Sequence, residues 1–155
     1  MDIMSADFWK CISAAVLCGA IIGFERQLRG KPAGIRTSIL ICLGTSLFIS
    51  LGKEFSTANT DMTRVLGQVV TGIGFLGAGV ILAREGIVIG VTSAAVIWVL
   101  AATGAMIGFN KTTEAIVVTL LTVLLLSGIT FLEGSIKSLR RGVHAPPPTD
   151  DKFEG

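Results

Sequence analysis

The sequence has 155 residues, of which 51% are hydrophobic and only 15% charged, with a mean hydropathy of +0.75. A soluble domain carries about 25% charged residues and leaves roughly a third of its area in water at this length, so the composition excludes an ordinary soluble domain and assigns much of the surface to lipid. The net charge of +2 excludes the basic stripe of a nucleic-acid binder, the absence of Tyr and a single His weigh against a buried catalytic site, and the length fits one compact unit.

The charges punctuate five stretches that contain no Asp, Glu, Lys or Arg: Cys11 to Phe24, Thr37 to Gly52, Val65 to Ala83, Gly86 to Asn110 and Ala115 to Leu132. A helix needs about 17 to 25 mostly apolar residues to cross the hydrocarbon core. The last three stretches meet that alone. Phe8 and Trp9 lengthen the first and Ile35 the second, with Lys10 and Arg36 snorkelling to the interface. Runs such as IVVTLLTVLLL are apolar on every side, whereas a membrane barrel strand alternates. The expected fold is therefore an all-α integral membrane protein with five transmembrane helices in residues 1–133, followed by a short tail, 134–155.

In the leader, Asp2 and Asp7 precede the first Lys, and no small-x-small cleavage site follows, so the first segment is expected to stay as a helix rather than leave as a signal peptide. In the tail, Lys137, Arg140 and Arg141 suit an anionic lipid surface. HAPPPTDDKFEG reads as a disordered end. With the N-terminus outside, the cytoplasmic pieces hold Arg26, Arg29, Lys31, Arg36, Arg84, Lys137, Arg140, Arg141 and Lys152, and the outer pieces only Lys10, Lys53, Arg64 and Lys111. The positive-inside rule then predicts N-out, C-in.

Cys11, Cys18 and Cys42 all lie in apolar runs with no CxxC and no companion His, which points to buried packing rather than disulfides. No His and Cys constellation for a metal exists, and no cofactor is expected.

TGIGFLG, at Thr71 to Gly77, contains GxGxxG, but the dinucleotide fingerprint needs a preceding strand and an acidic residue about twenty positions on. Here it lies within a membrane stretch, with Thr92 and Ser93 at that distance. Gly72, Gly74, Gly77 and Gly79 are better read as helix packing, because small residues let backbones approach closely. The small-xxx-small spacing recurs at Gly19 and Gly23 and at Gly104 and Gly108. Dense glycine also suits a broken helix whose freed backbone lines a cavity, the second reading of the same stretch.

Polar residues at membrane depth are mild: Gln68, Thr71, Thr92, Ser93, Thr103, Thr119, Thr122 and Ser127. No carboxylate lies near a midplane, and magnesium is normally held by carboxylates and water, so an intramembrane magnesium site is poorly supported. The ionisable groups gather instead at helix ends on the predicted inner face: Glu25, Arg26, Arg36, Arg84, Glu85 and Glu133. They read either as ion pairs that fix helix ends or as a binding or regulatory cluster. The adjacent opposite charges of Glu25 with Arg26 and Arg84 with Glu85 suggest cross-pairing.

The ordered strings GAIIGFERQLRGKPAGIRTSILICLG, QVVTGIGFLGAGVIL and VTSAAVIWVLAATGAMIG closely resemble the MgtC/SapB family of bacterial inner-membrane proteins, over roughly Trp9 to Leu132. The resemblance implies a five-helix, multi-pass protein of the bacterial inner membrane. It also implies a link to survival under magnesium limitation and, in pathogens, to virulence and growth inside host cells. Its best-studied members act as regulators through contact with other membrane machines such as ATP synthase. Carried over residue by residue, the family signature falls on Glu25, Arg26, Arg36 and Thr37, on Thr71, Gly72, Gly74, Phe75, Leu76, Gly77 and Gly79, and on Thr92, Ala94, Ala95 and Trp98. Ser93 stands where Thr is more usual. Longer members carry a soluble C-terminal domain; this sequence ends soon after its fifth stretch and resembles the short, SapB-like form.

The function expected from the sequence is a non-enzymatic membrane regulator, embedded in the lipid bilayer, forming a homo-oligomer with a dimer as first guess, and meeting other inner-membrane proteins. The alternative is a small magnesium-linked transporter or channel. An intramembrane enzyme would need a nucleophile and base in a hydrated cavity, for which Cys18 or Ser93 alone is thin support. The expected functional cluster is Glu25, Arg26, Arg36, Thr37, Gln68, Thr71, Arg84, Glu85, Thr92 and Trp98, with the charged members resting on the Thr71 to Gly79 segment.

Overall fold

A computed structural model describes residues 5–56, 61–84 and 87–135, with the side chains of residue 84 and residues 130–135 outside the description. The described residues form α1 (Ala6–Leu28), α2 (Ile35–Glu54), α3 (Met62–Gly79), a hairpin of β1 (Leu82–Arg84) and β2 (Ile87–Ile89), α4 (Val91–Gly108) and α5 (Thr112–Ser135). Four of these helices, α1, α2, α4 and α5, are long and apolar enough to cross a membrane. The tail beyond Ser135 lies outside the described residues.

Local chemistry sets the boundaries. Ser5 caps α1 by accepting a hydrogen bond from the Phe8 N–H at 3.2 Å, and Asp7 sits in the first turn, where a negative charge favours the helix dipole. Asp61 caps α3, accepting from the Thr63 N–H at 2.9 Å and the Thr63 hydroxyl at 2.7 Å. After α4 the chain turns through Asn110 at φ 62°, and the Lys111 N–H returns to the Met106 carbonyl at 2.9 Å, satisfying a carbonyl that the helix end would leave bare.

Glycines decide how the helices meet. A Cβ at Gly19 would stand 2.7 Å from the Ile39 Cα, and one at Gly23 would stand 2.6 Å from the Ile35 Cα, so α1 and α2 pack backbone to backbone and antiparallel. A Cβ at Gly104 would strike the Cys42 carbonyl, and one at Gly108 would lie 2.7 Å from the Ser46 carbonyl oxygen. Later residues of α2 thus meet later residues of α4, and the two helices run parallel. The Cys42 thiol donates to the Leu100 carbonyl at 3.2 Å, and the Lys53 ammonium to the Gly108 carbonyl at 3.3 Å, on the same seam. Fully buried Ile22, Ile49, Ile97, Leu100 and Ile107 fill the space between these contacts. In lipid, such packing rather than escape from water holds helices together. The α5 side chains Val117, Leu120, Leu121, Leu124 and Leu125 are exposed, as a lipid-facing surface requires.

Two expectations are corrected. The uncharged stretches Val65 to Ala83 and Gly86 to Asn110 were read as continuous spans, yet α3 stops at Gly79, α4 begins at Val91, and Leu82–Ile89 pair as a two-stranded antiparallel hairpin with Ala83 opposite Val88. The run IVI is β-branched and suits a strand. Gly90 closes the hairpin at φ 90°, where a Cβ would collide with the Val80 carbonyl, so only glycine fits. The five helices bear out the all-α expectation, and the three-residue strands are the second, smaller adjustment to it.

Candidate functional site at the end of α1

Of the charged signature, the side chains of Glu25, Arg26 and Arg36 are described. Glu25 and Arg26, in the last turns of α1, are buried, at 7% and 3% exposure. The Arg26 Nη2 donates to the Ser93 hydroxyl at 2.6 Å, tying the end of α1 to the start of α4. Arg29, one turn beyond Glu25, brings its Nε into ion-pair contact with Glu25 Oε1. Among the described residues, neither Glu25 oxygen, nor Arg26 Nε, has a partner in hydrogen-bonding geometry. An unsatisfied buried polar group costs about 1 to 3 kcal/mol, and more when charged, so this end of the bundle holds capacity for further hydrogen bonds.

The remaining members lie elsewhere. Arg36 and Thr37 are exposed on the first turn of α2, Gln68 and Thr71 are exposed on α3, and Thr92 and Trp98 are exposed on α4. Thr71 spends its hydroxyl on the Gly67 carbonyl at 2.9 Å. Thr103, Thr119 and Thr122 do the same one turn back on their own helices, so these hydroxyls bond within their helices. Glu85 and the Arg84 side chain lie outside the described residues. The suggested pairing of Glu25 or Arg26 with the Arg84–Glu85 step therefore falls outside the described residues; within them Glu25 meets Arg29 and Arg26 meets Ser93. Arg26 is thus anchored to α4 through Ser93, whose neighbour Ala94 packs beside Gly77 of the Thr71 to Gly79 segment.

Sequence reasoning left two participants out of the cluster. Arg29 stands at i+4 from Glu25, a spacing that favours an ion pair on any helix, so its signal was present. Ser93 is read from the sequence as a mild polar residue at membrane depth and a variation in a motif; its partner is 67 positions away, and no local pattern reveals that.

The glycines divide into two groups. Gly19, Gly23, Gly104 and Gly108 are consumed within the chain, and Gly77 lies 3.8 Å from Ala94 measured from its would-be Cβ. A Cβ at Gly72, Gly74 or Gly79 would meet nothing within 4 Å. Between α2 and α3 lies a cavity of about 610 Å³ with mostly apolar walls. Among the described residues no three His, Cys, Asp or Glu side chains come together as metal ligands, and the cationic neighbours of Glu25 do not suit a magnesium site built from carboxylates and water.

The MgtC family profile matches residues 12–135. The chain is 44% identical over 131 residues to YhiD of Escherichia coli K12, provisionally named a magnesium transporter, covering 79% of this chain and 60% of YhiD. It is 38% identical over 140 residues to the MgtC protein of Brucella abortus, covering 88% of this chain and 58% of that protein. Identity to SrpB of Synechococcus elongatus is 39% over 132 residues, covering 77% of this chain and 72% of SrpB. The matched region thus spans about three fifths of YhiD and of the Brucella protein. No solved structure matches the chain. With four helices able to cross a membrane and a family match over most of its length, this multi-pass membrane protein belongs to the MgtC family.

Proposed function

We propose that the chain is a non-enzymatic protein of the bacterial inner membrane that regulates other membrane machinery, or adaptation to low magnesium, through contacts made inside the bilayer, a second copy of itself being the first partner and a complex such as ATP synthase a further one. The outward face of α3 carries this reading. Gln68, Thr71, Gly72, Gly74, Phe75 and Gly79 are all exposed there, Phe75 at 82%. Such a face gains little from lipid, whereas small residues admit a neighbouring helix and Gln and Thr can hydrogen-bond to it.

Parallel α2 and α4 support placing this face at membrane depth. Both begin at the same end of the bundle, so the chain between them must return through the same thickness, and the 18 residues of α3 span about 27 Å. That gives five crossings, and the basic Arg26 to Arg36 segment favours N-out, C-in.

The test replaces Gly74 or Gln68 by Leu and measures cross-linking in native membranes together with growth in low-magnesium medium. Both variants are expected to express and melt like wild type while losing cross-linking and rescue. Normal rescue by both would overturn the proposal. A magnesium-linked transporter or channel is the second reading, favoured by the name given to YhiD and by the α2–α3 cavity. Saturable magnesium flux through the purified chain in liposomes would establish it in place of the first.

A further inference from the structure

The α2–α3 cavity is built with a regularity that the functional reading above does not use. At about 610 Å³ it falls within the roughly 300 to 1,000 Å³ of small-molecule sites. Its α2 wall runs from Thr37 to Phe48 and its α3 wall from Val65 to Leu76, each an i, i+3, i+4, i+7, i+8, i+11 stripe whose fourth member is a glycine, Gly44 or Gly72. Neither glycine has a heavy atom within 4 Å of where a Cβ would stand, so both walls are thinned towards the cavity.

Length and ends identify the occupant. From Thr37 to Phe48 a helix rises about 16 Å, close to half of the roughly 30 Å hydrocarbon core; the groove is one leaflet deep. It closes beyond Phe48, where α2 and α3 touch: a Cβ at Gly52 would stand 3.2 Å from side-chain atoms of both Met62 and Val65. At the other end Thr37 and Leu76 are exposed. There Arg36 is exposed, and among the described residues it forms no ion pair and the Thr37 hydroxyl no hydrogen bond. The first turn of α2 carries no acidic side chain, and Lys31 is exposed in the preceding loop.

We propose that this groove holds one acyl chain of an anionic glycerophospholipid, with the lipid phosphate at Arg36 and Thr37. An apolar slot one leaflet deep, blind at the midplane end and cationic at its mouth, matches a chain entering from that leaflet. A transmembrane helix from a second copy would need a seat running through both leaflets. A zwitterionic lipid would fill the slot and bring the same phosphate, but its ammonium offsets the attraction to Arg36 and Lys31, whereas an anionic headgroup keeps its full negative charge beside the guanidinium. The groove shares Gln68 and Gly72 with the α3 face of the functional reading, but Thr37 and Gly44 line the groove alone and Gly74 belongs to that face alone, so either proposal can fail alone.

Native mass spectrometry of the full chain in mild detergent, with phosphatidylglycerol and phosphatidylethanolamine of identical acyl composition added in equal amounts, tests it. Wild type is expected to retain phosphatidylglycerol preferentially. Arg36→Gln should lower that occupancy about fivefold and lower phosphatidylethanolamine occupancy less, so that the preference shrinks. Gly44→Leu should abolish retention of both lipids, with Gly72→Leu repeating the block from the opposite wall and thermal melting identifying the folded variants. Equal retention of the two lipids by wild type and Arg36→Gln would overturn the proposal, as would undiminished retention by a folded, groove-filled variant. A wild-type dimer without lipid adducts that Gly44→Leu converts to monomer would overturn it in favour of a second copy.

Discussion

Arg26 Nη2 and Ser93 Oγ meet at 2.6 Å in the interior, joining two helices whose contributing residues are 67 positions apart. The bond gives a buried guanidinium a partner, while among the described residues its Nε has none. Ser93→Ala leaves the group less satisfied and is expected to lower stability by about 1 to 3 kcal/mol, whereas Ser93→Thr keeps the hydroxyl and should stay near wild type. Thermal melting in one detergent compares them; equal melting of the Ala variant and wild type would show that the bond contributes nothing to stability.

Glycine substitutions should sort by location. Gly104→Ala pushes a methyl group against the Cys42 carbonyl and to within 2.9 Å of the Thr45 Cβ, and overpacking of this kind costs about 1 to 3 kcal/mol. Gly104→Leu should prevent folding outright. Gly74→Ala meets open space and also removes a glycine from a helix interior, so its melting temperature should equal or exceed that of wild type. Comparable losses in both would mean that α3 packs differently from this arrangement.

The α3 cap should respond to acid. Hydrogen bonds from the Thr63 hydroxyl and then from the Thr63 N–H hold the Asp61 carboxyl below its ordinary value of 3.8. A lowered folded value means that the cap is fully stabilising above about pH 4 and is lost as pH falls through the depressed value. Hydrogen exchange should show the amides of Thr63 and Arg64 protected at neutral pH and losing protection, relative to intrinsic rates, only under stronger acid. Asp61→Ala should remove the pH dependence; its persistence in that variant would assign the effect to another group.

Orientation is open to chemical labelling. In a background lacking Cys11, Cys18 and Cys42, Lys31→Cys lies in the basic loop and Ser56→Cys follows α2 at the opposite end, both at exposed positions. With N-out, C-in, an impermeant maleimide should label Ser56→Cys in intact cells and reach Lys31→Cys only after permeabilisation. The reverse pattern would invert the topology.

Much of this architecture is written in the spacing of charges and glycines. Five uncharged stretches correspond in order to the five described helices, four of them long and apolar enough to cross a membrane, because a helix in lipid satisfies its backbone internally and tolerates charge only near its ends. Gly19, Gly23, Gly104 and Gly108 could be recognised as contact points because small-xxx-small spacing lines up one face of a helix wherever it occurs. The Leu82–Ile89 hairpin was not legible, since a short apolar run reads equally as the end of a helix or as a strand.

Composition and periodicity alone determined that this is a helical membrane protein, and ordered motifs identified its family, because both depend on residues close in sequence. Which glycine meets which backbone, that α2 and α4 run parallel, that Arg26 reaches Ser93 while Arg36 is left at the mouth of an apolar groove, and that α3 keeps an open face were decided only by tertiary structure. These are relations between distant segments. They depend on the angles and depths at which helices pack, and a helix's own sequence constrains its faces without specifying which neighbour each face will find.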